Sequence, residues 1–290
     1  MPLRLFIKSM ELDIVDFTKP SPILRWAGGK SWLFSKLPEL LPSKFNNYHE
    51  PFLGGGSVYL FLKENSLIKG RSFLSDLNPD LINCYRQLRN NYPELIKRLS
   101  KYKNTESYYY MVRSSNTECR LEKAANFLYL NRTSFNGIFR VNLQGEYNVP
   151  YGFKSYDKLF DLQNLNATRL LLRSAKLSVY DFEESLKNIT KNDLVFIDPP
   201  YTIAHNHNGF IKYNQKLFSW SDQERLLRFV KTLNRKGAYF ILTNAAHKSI
   251  FNLFQNECEI RELKRTSLVG GKGATRGKVS EYLLTNIIRP

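Results

Sequence analysis

Glu50-Pro51-Phe52-Leu53-Gly54-Gly55-Gly56-Ser57 is the stretch on which the fold turns. Upstream of it, Asn47–Phe52 predicts a strand. Downstream, Ser57–Lys63 predicts a helix, and Ser72-Phe73-Leu74-Ser75 a second strand that ends on Asp76. Strand, glycine turn, helix and strand in that order make a βαβ unit. Glycines at such a turn let the backbone approach a ligand closely, and the helix N-terminus that follows is a favourable polar site. A carboxylate roughly 25 residues further on can accept hydrogen bonds from ribose hydroxyls, and Asp76 stands there. The same residues also suit a tight turn beside a structural Asp.

Outward from this unit the texture changes twice. Between about residues 79 and 162, Asp80–Arg89, Pro93–Lys101 and Leu121–Leu130 have helical periodicity, with Tyr108-Tyr109-Tyr110 between them as a helix packing face. Asn131–Gly152 is polar and rich in Gly and Asn, which excludes regular helix. After 162 the α/β texture returns. Leu194-Val195-Phe196-Ile197 is a short continuous apolar run, as in a strand buried on both faces. Ser221–Leu233 predicts an amphipathic helix with Ser221 as N-cap. Ala238–Thr243 and Tyr282–Asn286 predict further strands. The fold class expected is α/β, a Rossmann-like sheet, interrupted by a helical insert.

The chain has 290 residues, 42% of them hydrophobic, enough for a sizeable core and too many for global disorder. No apolar run approaches the ~18 residues of a spanning helix. Met1–Met10 is followed at once by Glu11, Asp13 and Asp16 and does not read as a secretory signal. Cys84, Cys119 and Cys258 match no metal or redox spacing, and His205 and His207 lack metal-ligand neighbours, so no metal is expected. With 43 Lys+Arg against 26 Asp+Glu, the net charge is +17. That surplus points to a polyanionic partner, or to a solvated basic surface.

Asp198-Pro199-Pro200-Tyr201 follows the buried strand directly. Two prolines remove two backbone donors and stiffen the chain. The result is a rigid edge with two acceptors, the Asp198 carboxylate and the Pro199 carbonyl, beside an aromatic face. An exocyclic amino group on a planar base offers two N–H donors and fits that edge. A stiff strand-end loop with a capping Asp is the other reading.

The chain as a whole resembles the DNA adenine-N6 methyltransferases of the Dam type, the D12 class. The matching pieces occur in the family's order: Leu24-Arg25-Trp26-Ala27-Gly28-Gly29-Lys30, Glu50-Pro51-Phe52 with the glycine turn, and Ser75-Asp76-Leu77-Asn78. Leu130-Asn131-Arg132-Thr133-Ser134-Phe135-Asn136-Gly137 then runs on through Arg140, Asn142 and Gly145 to Tyr147-Asn148-Val149-Pro150. The Asp198 tetrapeptide and Arg276-Gly277-Lys278-Val279-Ser280-Glu281-Tyr282-Leu283-Leu284 complete the set. Coverage runs from Leu24 to Leu284; the first residues of the chain lie outside it.

The resemblance implies methyl transfer from S-adenosylmethionine to N6 of a flipped adenine in duplex DNA, with S-adenosylhomocysteine as product and GATC as the site. It assigns catalysis to Asp198, Pro199, Pro200 and Tyr201. It assigns the cofactor to Trp26, Lys30, Glu50, Pro51, Phe52, Gly54, Gly56, Asp76, Asp198 and, by a looser match, Asp181, where a solvated Asp is the plainer reading. DNA contact falls to Arg132, Phe135, Asn136, Ile138, Arg140, Asn142, Asn148 and Pro150: Arg140 for guanine, Phe135 as a wedge, Ile138 and Pro150 for a thymine methyl. Residues 1–78 and 163–290 would form the catalytic domain and 79–162 the target-recognition insert. A cytoplasmic enzyme working on double-stranded DNA, away from membranes, is expected, with room for a separately encoded restriction endonuclease as partner. A lid over residues 202–217 and a flexible basic loop at Gly270–Gly273 are expected beside the DNA. Two alternatives stand: another acceptor, N4-cytosine or a glutamine side chain, and a DNA-binding module without catalysis.

Overall fold

A computed structural model describes residues 20–137, 139–142, 144–202, 218–266 and 278–288. The lid expected at 202–217 beyond Thr202, the basic loop at 270–273, His205, His207 and Ile138 lie outside the described residues. In chain order the main elements are α1 (Leu37–Leu40), β1 (Tyr48–Glu50), α2 (Ser57–Glu64), β2 (Ser72–Asp76), α3 (Pro79–Asn90) and α4 (Tyr92–Leu99). They continue with α5 (Glu106–Arg113), α6 (Arg120–Thr133), α7 (Leu162–Leu172), β3 (Ala175–Val179), β4 (Leu194–Ile197) and α8 (Trp220–Lys236). The last are β5 (Tyr239–Ala245), α9 (Lys248–Phe254), β6 (Glu259–Thr266) and β7 (Lys278–Thr285).

The strands form one seven-stranded sheet in the order β3-β2-β1-β4-β5-β7-β6. The first five run parallel; β7 is antiparallel to both β5 and β6. β1 lies between β2 and β4, so the chain leaves β1 in one direction and returns to its other side at β4. That reversal of strand order opens a crevice at the carboxyl ends of β1 and β4, the place where open α/β sheets bind ligands.

The apolar run of β4 shows why it is continuous. Leu194 and Phe196 join the core on one face of the sheet, Val195 and Ile197 the core on the other. The first core holds α2, α3, α6 and α7; the second holds α8 and α9. Buried residues of α3 (Leu81, Ile82, Cys84, Tyr85, Leu88) share the first core with the sheet. Tyr109, Val112, Tyr129, Leu130 and Tyr151 form a separate cluster under the polar 131–152 stretch. Only Tyr109 of the three consecutive tyrosines is fully buried; Tyr110 lies at the surface.

One expectation about elements is corrected. The N-cap of α8 is Ser219, not Ser221: the Ser219 hydroxyl accepts from Asp222 N while the Asp222 carboxylate accepts from Ser219 N, a reciprocal capping box. Glu259–Thr266, which carries charges on both faces, is an edge strand paired with β7. Among the described residues no helix is long and apolar enough to cross a membrane.

Candidate active site

Both motifs read from the sequence meet at the crevice. Glu50 is the last residue of β1, and the glycine turn follows it; Asp198 comes directly after β4. Gly54 has φ +48°, and a Cβ placed on it would come within 2.8 Å of the Trp26 ring. The turn therefore needs glycine twice over, for its backbone and for the indole above it. Trp26 is itself backed by Phe139, with ring centroids 5.3 Å apart. Asp76, at the end of β2, accepts from Gly54 N and Asn78 N, both at 2.9 Å, and so holds the turn against β2. Leu77 beside it is 68% exposed.

Three carboxyl groups thus line the ends of β1, β2 and β4. Burial raises all three above the ordinary carboxylate range. Glu50 is pushed up to about 8, opposed by a hydrogen bond from the Tyr48 hydroxyl (2.7 Å) and helped by the charges of Asp198 and Asp76. Asp76 is raised by burial against the hydrogen bonds it accepts. Asp198 is raised by burial, opposed by Lys30 and Thr243. A site in which Glu50 and Asp76 form no ion pair among the described residues, beside an indole face and an exposed Leu77, fits the S-adenosylmethionine expected from the sequence, whose sulfonium and ammonium are cations.

The Asp198 carboxylate is held at both oxygens. Oδ1 accepts from the Thr243 hydroxyl of β5 at 2.7 Å, and Oδ2 from Lys30 Nζ at 2.8 Å. Lys30 is buried; its Nζ also donates to Gly28 O at 2.6 Å and stands 5.2 Å from the centre of the Tyr201 ring. The Tyr201 hydroxyl donates to Glu281 Oε2 at 2.7 Å. Lys30, expected beside the cofactor, is thus bonded to the tetrapeptide itself. Pro199 is buried and Pro200 half-buried. Phe52, after Pro51, stacks on Phe182 at 5.2 Å. Asp181 is not simply solvated: it caps the short turn at Phe182–Lys187 and pairs with Arg225 at 2.6 Å.

The polar stretch stands on the end of α6. Ser134 bridges Tyr151, Val141 bridges Tyr147, and Asn136 and Gly137 both have positive φ. A Cβ on Gly137 would fall on the Arg25 side chain, so this turn packs against the Leu24–Lys30 segment. Buried Asn131 ties the two: its Oδ1 accepts from Arg25 N and its Nδ2 donates to Arg25 O and Gly137 O. Phe135 is 55% exposed, and Pro150 is exposed. The exposed Arg140 guanidinium donates through Nε to Asn148 Oδ1 and through Nη2 to Asn148 O. Asn142 closes the hairpin, accepting from Gln144 N and Glu146 N. Arg132 donates to Leu159 O and lies over the Tyr156 ring. Of the eight residues expected at DNA, Arg132, Arg140, Asn142 and Asn148 make hydrogen bonds within the protein, Phe135, Asn136, Arg140 and Pro150 stand at the surface, and Ile138 lies outside the described residues.

Sequence reasoning missed Thr243 and Glu281. Thr243 interrupts an apolar strand with a hydroxyl, and Glu281 puts a carboxylate into a strand whose neighbours Leu283 and Leu284 are buried. A polar residue at a core position was the available signal.

Residues 26–268 match the family model of the D12 class N6 adenine-specific DNA methyltransferases. The chain is 34% identical to the Type II methyltransferase M1.LlaDCHI of Lactococcus lactis, covering 91% of this chain and 95% of that protein. It is 33% identical to the Type II methyltransferase M.MjaIII of Methanocaldococcus jannaschii, covering 91% and 98%. It is 30% identical to the DNA adenine methylase of Haemophilus influenzae, covering 91% and 93%. With the glycine turn, Asp198 and six of the sheet's seven strands inside that match, the chain belongs to the D12 class N6 adenine-specific DNA methyltransferases, enzymes that use S-adenosylmethionine.

Proposed function

We propose that the enzyme methylates N6 of the adenine in GATC within duplex DNA, after rotating that adenine out of the base stack. The observation that carries the reading is the Asp198 edge: a half-buried carboxylate held at both oxygens at the crevice, with two prolines and the Tyr201 ring directly after it. Tyr201 stacks on the flipped base. Asp198 and the Pro199 carbonyl accept its two amino hydrogens, which aims the nitrogen lone pair and stabilises the positive charge that develops on it. When bound, S-adenosylmethionine supplies a methyl group on a sulfonium, a good leaving group that departs as S-adenosylhomocysteine. Asp198, raised by burial, is suited to hold the proton the nitrogen sheds. Trp26, Glu50, Pro51, Phe52, Gly54, Gly56, Asp76 and Asp181 form the cofactor's surroundings, with Lys30 between cofactor and tetrapeptide.

Recognition falls to the insert 79–162, and within it to the stretch from Asn131 to Pro150, whose spacing resembles that of GATC-reading members. Arg140, its plane set by Asn148, reads a guanine; Phe135 enters the stack; Ile138 and Pro150 meet a thymine methyl. Asn136 and Asn142 lie along the backbone. We extend the reading to a cytoplasmic enzyme with a separately encoded restriction endonuclease, on the likeness to relatives that carry the name Type II methyltransferase.

The test is to methylate plasmid DNA and challenge it with endonucleases that are blocked by, or require, methylated GATC. Asp198→Ala should abolish methylation and leave DNA binding largely intact. Arg140→Ala should lose about 1–3 kcal/mol of discrimination at one base pair. Methyl groups at another sequence, with GATC left open, would overturn the specificity and leave the enzyme class standing.

A further inference from the structure

Glu281 is a carboxylate in the interior of the sheet. It lies on β7 opposite Ala245 of β5 and Leu263 of β6, and is 1% exposed. Burying a carboxylate costs several kcal/mol unless it is paired and hydrogen-bonded. Its partners are what set it apart. One oxygen, Oε2, accepts from the Tyr201 hydroxyl at 2.7 Å and stands 4.0 Å from Lys30 Nζ. Those are the aromatic face and the cation of the tetrapeptide site, brought to one atom from positions 80 and 251 residues away in the chain.

We propose that Glu281 is a positioning residue for methyl transfer, holding the Tyr201 ring in the plane that the target base must stack on and serving as the second counter-ion of Lys30. This rests on the reading of Asp198 and Tyr201 given above. A tyrosine after two prolines has a stiff backbone, but its ring still turns about χ1 and χ2. A tether at the hydroxyl removes that freedom before the base arrives. The second role follows from Asp198. Its Oδ2 accepts from Lys30, and an adenine amino group needs the same oxygen. A lysine with another carboxylate 4.0 Å away can shift its charge toward that partner without being left unpaired in a buried site. Glu281 touches neither base nor cofactor on this account; it acts through Tyr201 and Lys30.

The experiment is a double-mutant cycle on the full chain with a GATC duplex, S-adenosylmethionine and single-turnover kinetics. Glu281→Ala and Tyr201→Phe should each slow methyl transfer about tenfold or more, since a small misplacement of a reacting group is costly. The KM for S-adenosylmethionine and the affinity for DNA should stay within about threefold of wild type, because the residue binds neither. The double variant should be no slower than the slower single, because both remove the same tether. Glu281→Gln keeps an acceptor for the tyrosine hydroxyl and removes the charge. It should recover part of the rate and shift the pH profile of methyl transfer, which a merely structural residue would not do. If Glu281→Ala does not fold, Glu281→Leu, which also removes the acceptor and fills the buried position, takes its place in the cycle. A 2-aminopurine at the target position reports stacking directly: its quenching by Tyr201 should weaken in Tyr201→Phe and Glu281→Ala alike. Additive losses in the cycle, or a normal single-turnover rate in Glu281→Ala, would overturn the proposal. An active Asp198→Ala would instead overturn the site reading on which it stands, so the two failures are distinct.

Discussion

At the scale of single residues, the site is a place where burial and charge are set against each other. Glu50 shows this most plainly. Its carboxyl is 3% exposed and pushed up to about 8, with burial the largest cause. In the unfolded chain a glutamate releases its proton near pH 4.5. Below that pH both states hold the proton and Glu50 adds no pH dependence. Between about 4.5 and about 8 the folded state alone keeps it, so the folded state binds more protons and stability falls as pH rises. Above about 8 the loss is complete. Glu50→Gln keeps an acceptor for the Tyr48 hydroxyl and cannot ionise. Thermal unfolding should therefore show it matching the wild type at pH 4 and gaining on it steadily toward pH 8.5. A constant offset across that range would mean that Glu50 is ionised in the folded protein. Cofactor binding should move the other way in the wild type. A cation at the site favours the carboxylate and lowers its proton affinity.

At the scale of elements, what was legible in the sequence is what is local. The glycine turn, the βαβ unit and the continuous run of β4 each carry their signal within a few residues, and each stands as read. β6 is not legible in the sequence because Glu259, Arg261, Glu262 and Lys264 interrupt any alternation. An edge strand paired on one side needs no apolar face, and charges keep its open edge from pairing with another chain. β7 is legible only from Tyr282 onward for a related reason: Ser280 and Glu281 break the apolar pattern that Leu283 and Leu284 set. The start of α8 is ambiguous in the sequence because Ser219 and Ser221 both carry a capping hydroxyl, and only the reciprocal bond to Asp222 separates them. That cap matters beyond its helix. Ser219 follows Phe218, whose carbonyl accepts from the Thr202 hydroxyl, and Thr202 accepts from Gln223 of α8. The start of α8 is thus joined to the residue after Tyr201. Ser219→Ala should cost about 1 kcal/mol of stability, as loss of an N-cap does, readable as a lower urea midpoint with an unchanged slope. Ser221→Ala should cost far less. Equal losses in the two variants would mean that the box does not form in solution.

At the scale of the whole molecule, the site is assembled by contacts that no local pattern announces. Lys30 meets Asp198, and Tyr201 meets Glu281, only because β1, β4, β5 and β7 lie side by side. The tetrapeptide and the glycine turn could be read from the chain; which groups hold them could not. Charge is the other property that belongs to the molecule, and it too has a location. Burial, with the cations of Arg25 and Arg132 close by, lowers the Lys154 ammonium below its usual range. Three positive groups are thus gathered beside the 131–150 stretch, on a chain of net charge +17. Such a cluster is costly in a free protein and becomes favourable against phosphates, whose counter-ions are released on binding. Affinity for duplex DNA should therefore fall linearly with salt on logarithmic axes, by about 0.9 per phosphate neutralised. Lys154→Ala should reduce that slope by about 1 and weaken GATC and non-GATC duplexes by the same factor. Arg140→Ala should leave the slope nearly unchanged and reduce the preference for GATC. Fluorescence anisotropy over a series of salt concentrations, with matched duplexes, separates the two. If Lys154→Ala changed the preference and not the slope, the cluster would be reading bases, and phosphate binding would have to be sought elsewhere on the basic surface.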